Sequence, residues 1–272
     1  MVQFQKFGSN GLIVKDANGI SVESLRDRIP SIFATSASEK MSARYAYIPT
    51  IEIVNAMRET GMVATEVRQS GSRLADNRGF GKHLIRFQHA NTKMVPGQYI
   101  NQAILVNSHN GACSLDFSRG CYVVNCANGL CSPVGEHDEI KVRHSGNVDD
   151  IIDATFEVVS SFEAQSESIE NMRRITLTPQ EQSIFSESAM ALKVESETEL
   201  KGHSVLLKPR RIEDTKPDLW TTFNVVQENM VGGGRRATPR GRKMRAVNGI
   251  DESVKLNRAL WLLAENFAKL KG

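Results

Sequence analysis

Apolar positions divide the chain into an extended front and a helical rear. Val63, Thr65 and Val67 alternate with Glu66 and Arg68, and Ile85 and Phe87 alternate with Arg86 and Gln88. A period of two with one apolar side is the pattern of a half-buried strand. Ile140 and Val142, set between Lys141 and Arg143, repeat it, and residues 100–106 are apolar enough for a more buried strand. Residues 112–117 and 121–125 form two further extended pieces. Gly and Asn between most of these pieces predict antiparallel pairing through short connections. Upstream, Leu12-Ile13-Val14 lies between turn formers, and Asn18-Gly19 is predicted to close a small hairpin. Thr50 is predicted to cap a helix running to about Glu59, with Gly61 ending it.

Behind the strands the period changes to that of a helix. Ile151, Thr155, Val158 and Phe162 share one face, which predicts a long helix over about 148–165. Thr178-Pro179-Gln180-Glu181 is a capping box with proline at the first helical position, and it opens a helix carrying Phe185, Ala189 and Leu192. Residues 194–202 are polar and charged, and a boundary is placed there. Pro217 is positioned to start a helix with the stripe Leu219, Phe223, Val226 and Met230. A last helix over about 251–270 carries Leu256, Leu260, Leu263, Phe267 and Leu270. The expected fold class is α+β. An antiparallel sheet with packed long helices occupies residues 1–195, and a basic helical segment, 203–272, docks on it. A chain of 272 residues is long enough to bury either arrangement.

Composition removes several functions. No apolar run reaches the roughly 18 residues of a membrane span, and the first residues lack the apolar centre of a secretion signal. A soluble, cytoplasmic protein is expected. Cys113, Cys121, Cys126 and Cys131 are separated by seven, four and four residues, wider than structural zinc knuckles usually are. They read as reduced thiols, so no metal or cofactor is expected. None of the six histidines has a partner at the spacing of a helical metal site or a recognisable nucleophile beside it. Gly79-Phe80-Gly81 lacks the third glycine of a dinucleotide fingerprint. No enzyme signature emerges.

Charge changes the picture. The net charge is only +3, but residues from 201 onward hold 15 Lys and Arg against 7 Asp and Glu, while residues 1–200 hold 19 against 24. Arg235, Arg236, Arg240, Arg242, Lys243 and Arg245 fall within eleven residues, after Gly232-Gly233-Gly234, with no acid among them. Lys208, Arg210 and Arg211 form a second cluster before the preceding helix. Unpaired charges are too costly to bury, so such a loop stays in water or meets a polyanion. Gly241 is followed by Arg242 and Lys243 with no hydroxyl for magnesium, which excludes a nucleotide-hydrolysing P-loop. These nine cations are the candidate phosphate contacts. Trp220, close to them in sequence, is the candidate for base stacking, although it and Trp261 both border core stripes.

The motifs Tyr47-Ile48-Pro49-Thr50, Arg86-Phe87, Asn107-Ser108-His109-Asn110-Gly111, Asn125-Cys126-Ala127-Asn128-Gly129-Leu130 and Arg143-His144-Ser145-Gly146 run in a specific order. Leu177-Thr178-Pro179-Gln180-Glu181 and residues 219–229 continue it. Together they resemble the phage/plasmid-like family, domain of unknown function 932, from about Tyr45 to the end. The resemblance implies a mobile-element origin and supplies no catalytic residues. A looser similarity in plan, a small antiparallel sheet with a long helix, links the chain to phage single-strand-annealing recombinases. The expected function is non-specific binding of single-stranded DNA in a bacterial host cell, as a homo-oligomer that promotes annealing or recombination. A second expectation is an anti-restriction or anti-defence protein that binds a host protein complex. A zinc-dependent enzyme on nucleic acid ranks behind both.

Overall fold

In the computed structural model, which describes all residues except 1, 8–10, 73–74, 94, 96–97, 124–128, 132–138, 143–147, 195–196, 238–240, 242 and 272, the alternating front half is sheet. The elements run β1 (Gln3–Phe7), β2 (Gly11–Lys15), α1 (Val22–Arg26), a 3-10 turn (Pro30–Phe33), α2 (Thr50–Glu59), β3 (Met62–Gln69), a 3-10 turn (Ala75–Phe80), β4 (His83–His89), β5 (Tyr99–Asn107), β6 (Leu115–Val123), β7 (Gly129–Cys131) and β8 (Glu139–Val142). Helices follow: α3 (Val148–Ser160), α4 (Phe162–Arg174), α5 (Pro179–Ala191), α6 (Glu197–Leu200), a 3-10 turn (His203–Leu207), α7 (Leu219–Gly232) and α8 (Ile250–Lys271). The fold class is α+β, with an antiparallel sheet and packed helices.

One unit comprises Met1–Cys121 and Val134–Phe162. Its strands lie in sequence order from β1 to β6, with β8 also on β6. β1 through β5 pair antiparallel with their neighbours, β2 with β3 across the long connection of residues 16–61 that carries α1 and α2. Register aligns residues into rows across the sheet. Phe4, Val14, Val67, Ile85 and Leu105 stand opposite one another on successive strands. All of these but Phe4 join the core, with Ile53, Val54 and Met57 from α2 and Leu25, Ile29 and Ile32 from the segment around α1. Thr65 is the extra residue of a bulge, which keeps Met62, Ala64 and Val67 together in the core.

The opposite face departs from the half-buried expectation. Its polar row, Lys15, Glu66 and Arg86, is in cross-strand register, and Glu66, Arg68 and Arg86 are buried. Pairing makes this tolerable. Glu66 Oε2 meets Lys15 Nζ at 3.1 Å, Oε1 lies 3.8 Å from Arg86 Nε, and Arg68 Nε donates to the same oxygen. Burial alone would raise the Glu66 carboxyl, but Arg68, Arg86 and Lys15 hold it at about 2.

Three local expectations are corrected. Asn18-Gly19 closes a turn from β2 toward α1, with Gly19 N–H donating to Asp16 O, and makes no hairpin. Pro49, not Thr50, is the cap residue of α2. The long helix over 148–165 is two helices divided at Ser161, where the carbonyls of Ser161 and Phe162 accept from Arg119 Nη1 (2.9 Å) and Asn101 Nδ2 (3.3 Å).

The second unit comprises Tyr122–Pro133 and Glu163–Gly272. The division falls at Phe162, not between 195 and 203, because α5 packs on α7 and α8. Phe185 meets Phe267 edge-on at 5.2 Å, Gln182 bonds Thr222, and Lys271 Nζ pairs with Glu181 at 2.8 Å. The capping box forms as expected, with Thr178 Oγ1 accepting from Glu181 N–H and Glu181 accepting from Thr178 N–H. On α8 the buried face is rotated from the leucine stripe. Leu256, Leu260, Trp261, Ala264 and Ala268 are inside, and Leu270 is 83% exposed. Among the described residues no helix is long and apolar enough to cross a membrane.

Candidate nucleic-acid interface

Helix α7 organises the cationic segments. Asp218 caps it, its carboxylate accepting from Thr221 N–H at 2.8 Å. Its residues are buried on every side, Gln227, Glu228 and Asn229 included, so it is a central rod. It stops at Gly233, whose φ of +62° suits glycine. A Cβ there would lie 2.6 Å from Met244 O. The chain then returns on itself. Gly234 N–H donates to Met244 O, Met244 N–H to Arg235 O, and Val247 N–H to Val231 O. Arg236 and Lys243 form an isolated antiparallel bridge. The two flanks of this glycine-rich segment are thus hydrogen-bonded to each other as a finger.

Asn229 ties this finger to the earlier cluster. Its Nδ2 donates to Leu206 O and Lys208 O, both at 2.9 Å. Its Oδ1 accepts from Arg210 Nε and from Arg235 Nε, both at 3.0 Å. Arg210 Nη2 also reaches Gly233 O, and Arg235 Nη2 reaches Lys208 O. Two guanidinium groups thus converge on one neutral oxygen. Lys193, whose ammonium is shifted downward by burial, donates to Met230 O and Arg245 O and closes the end of the helix.

The nine expected cations divide. Lys208, Arg210, Arg236, Lys243 and Arg245 are exposed, and Arg235 is half-buried. Among the described residues none of these six has a carboxylate at ion-pair distance. Arg211 is a correction. It makes two hydrogen bonds to the buried Glu228 carboxylate, at 2.9 and 2.8 Å, and pairs with Asp214 at 2.7 Å. Its charge is neutralised within its own chain, which removes it from the phosphate contacts. Arg240 and Arg242 lie outside the described residues. Trp220 is the second correction: at 4% exposure it packs edge-on against Trp261 and beside Phe223, so no face is available to a base.

Sequence reasoning missed a polar row in the sheet unit. Lys6, Leu12, Gln69, His83 and Asn107 stand in cross-strand register, one step from the apolar row and on its face. Thr50 and His109 join the last two, all four fully buried. Thr50 Oγ1 lies 2.9 Å from His83 Nε2, 3.2 Å from His109 Nε2 and 3.0 Å from Asn107 Nδ2. Gly81 O only accepts, so His83 Nδ1, 3.1 Å away, carries the hydrogen. The Thr50 hydroxyl therefore donates to His83 Nε2 and accepts from Asn107 and from His109 Nε2–H. Burial, then the neighbouring His109, pushes His83 down to about 3, so the ring is neutral. The only visible signal was the density of turn formers and polar residues over 107–111. Cys113 and Cys121 form no disulfide, and Cys126 lies outside the described residues. Among the described residues no group of three His, Cys, Asp or Glu is placed to hold a metal.

Residues 37–261 match the family model described as "Domain of unknown function (DUF932)". Two proteins of Escherichia coli (strain K12), the UPF0380 proteins YfjQ and YafZ, are each 34% identical to this chain over 265 residues. Each alignment covers 96% of this chain and 95% of the relative. No solved structure matches.

Proposed function

We propose that this chain, which belongs to the DUF932 family, grips the sugar–phosphate backbone of nucleic acid without reading its sequence. The contacts are Lys208, Arg210, Arg235, Arg236, Lys243 and Arg245. The observation that carries this reading is the pair Arg210 and Arg235, held on one Asn229 oxygen with no carboxylate at ion-pair distance among the described residues. Neutral acceptors orient a guanidinium and leave its charge intact, which is what a phosphate contact requires. Both tryptophans are in the core, so affinity rests on charge more than on stacking. Single-stranded DNA is the proposed form, because its flexible backbone can follow a short cationic finger. The setting is the cytoplasm of a bacterial host cell. Assembly of several copies would extend the contact into a groove suited to annealing.

The test is binding of single- and double-stranded oligonucleotides of random sequence. With six phosphate contacts, single-strand affinity falls by about 300-fold between about 50 and about 200 mM salt. Arg236→Glu with Lys243→Glu, both exposed, should abolish retention at the lower salt. Absence of wild-type binding there overturns the reading and turns attention to capture of a host protein complex.

A further inference from the structure

The polar row has a second end, away from the histidines. There the sheet unit holds a cleft of about 430 Å³, lined by Lys6 of β1, Leu12 of β2, Asp27 and Arg28 after α1, Gln69 of β3 and Arg78 of the following 3-10 turn. Three cations reach it from three separate elements, against one carboxylate. Lys6, Asp27, Arg28 and Arg78 are exposed. Among the described residues no ion pair joins any of the three cations to a carboxylate. Residues 1–200 carry more acids than bases, so this local excess runs against the background charge.

The cleft is also braced. Gln69 is buried, with Oε1 accepting from Ser31 Oγ at 2.9 Å and Nε2 donating to Arg78 O at 2.8 Å, so it pins the backbone that carries Arg78. Fully buried Ile29 and Ile32 anchor the chain beside Arg28. The Arg28 guanidinium lies over the Phe4 ring, 3.9 Å from its centroid, a contact that positions it without using its hydrogen-bond donors. Ser70 and Ser72 add hydroxyls to the lining.

We propose that this cleft binds a phosphate monoester on an organic body of nucleotide size. A monoester carries about two negative charges near neutral pH, matching three cations less one carboxylate. The volume exceeds what a bare phosphate needs and falls in the range of small-ligand pockets. The body then lies along Leu12 and Pro30, where Asp27 accepts from a sugar hydroxyl. Two sources share this chemistry, a free nucleotide and the phosphorylated 5′ end of a DNA strand. The site is independent of the cationic finger in the other unit.

Isothermal titration of the full chain with dAMP, deoxyadenosine and inorganic phosphate tests it. A pair of oligonucleotides with and without a 5′-phosphate separates the sources. The expected result is dAMP binding below about 1 mM, with deoxyadenosine at least roughly tenfold weaker. Arg28→Glu and Arg78→Glu, both at exposed positions, should each weaken dAMP roughly tenfold, with unchanged circular dichroism reporting an intact fold. Arg236→Glu with Lys243→Glu should leave dAMP binding unaltered, which separates this site from the proposed DNA contact. Tighter binding of the 5′-phosphorylated strand assigns the site to DNA ends, and equal oligonucleotide binding with dAMP retained assigns it to free nucleotides. No dAMP binding, equal binding of deoxyadenosine, or charge-reversed variants that bind normally each overturn the proposal.

Discussion

Lowering the pH from 7 to 5 should cost the sheet unit about 2 kcal/mol through His83 alone. The ring is fully buried, with one nitrogen donating to Gly81 O and the other accepting from the Thr50 hydroxyl. A second proton would force that hydroxyl to surrender its donor role and would set a charge 5.5 Å, centroid to centroid, from His109. Burial and His109 therefore hold the ring near 3, against an ordinary 6.5. The sign follows directly. A base depressed in the folded state is protonated first in the unfolded chain, so stability is complete above about 6.5 and declines toward 3. The slope approaches about 1.4 kcal/mol per pH unit. Hydrogen-exchange mass spectrometry on peptides covering β4, in a urea series at each pH, reads the unit directly. His83→Gln should lower stability at pH 7, since the amide cannot reproduce both bonds, and should flatten the decline to pH 5. An equally steep decline in the variant, or a flat wild-type profile, refutes this account.

Asn229→Leu should lower the stability of the helical unit by about 3 kcal/mol, because it strands the Leu206 and Lys208 carbonyls and releases both arginines. A urea titration by tryptophan fluorescence reads this unit, since Trp220 and Trp261 both lie in it. Gly233→Ala should cost at least about 2 kcal/mol in the same titration, from its positive φ and the approach to Met244 O. Glu228→Gln with Asp214→Asn frees Arg211, so under the proposed DNA contact affinity should rise and its log–log salt slope should steepen by about 0.7. An unchanged slope means that Arg211 does not face the bound strand.

What was legible in the sequence was whatever a local period encodes. The alternation around Val67 and Ile85 became β3 and β4, and Thr178 to Glu181 became a formed capping box. Local patterns misled where a distant group took over a side chain. Thr50 has the right residue type and place for a cap, but His83, His109 and Asn107, far along the chain, claim its hydroxyl. On α8, leucines mark one stripe, yet bulky Trp261 and small Ala264 and Ala268 fit the available space better, and the helix turns to suit them. The polar row was illegible for a stronger reason. Its five residues come from five strands, and only register places them side by side.

The cationic finger shows how charge and order combine. Gly233 serves a tight reversal that no other residue fits without strain. Six like charges crowded on an ordered support repel one another, so the folded state bears a cost that solvent and salt only partly remove. Arg211 shows the remedy the chain uses where charge is unwanted, a buried carboxylate on α7. One residue further along the same helix stands Asn229, nearly the same shape as Asp and uncharged. An aspartate there would have neutralised Arg210 and Arg235 but would have set a carboxylate oxygen against the Leu206 and Lys208 carbonyls, which the amide satisfies. Retaining the amide orients the two guanidinium groups and preserves their positive charge. Stability favours the amide through its two donated bonds, and the charge it leaves on the guanidinium groups is available to the phosphate contact proposed above.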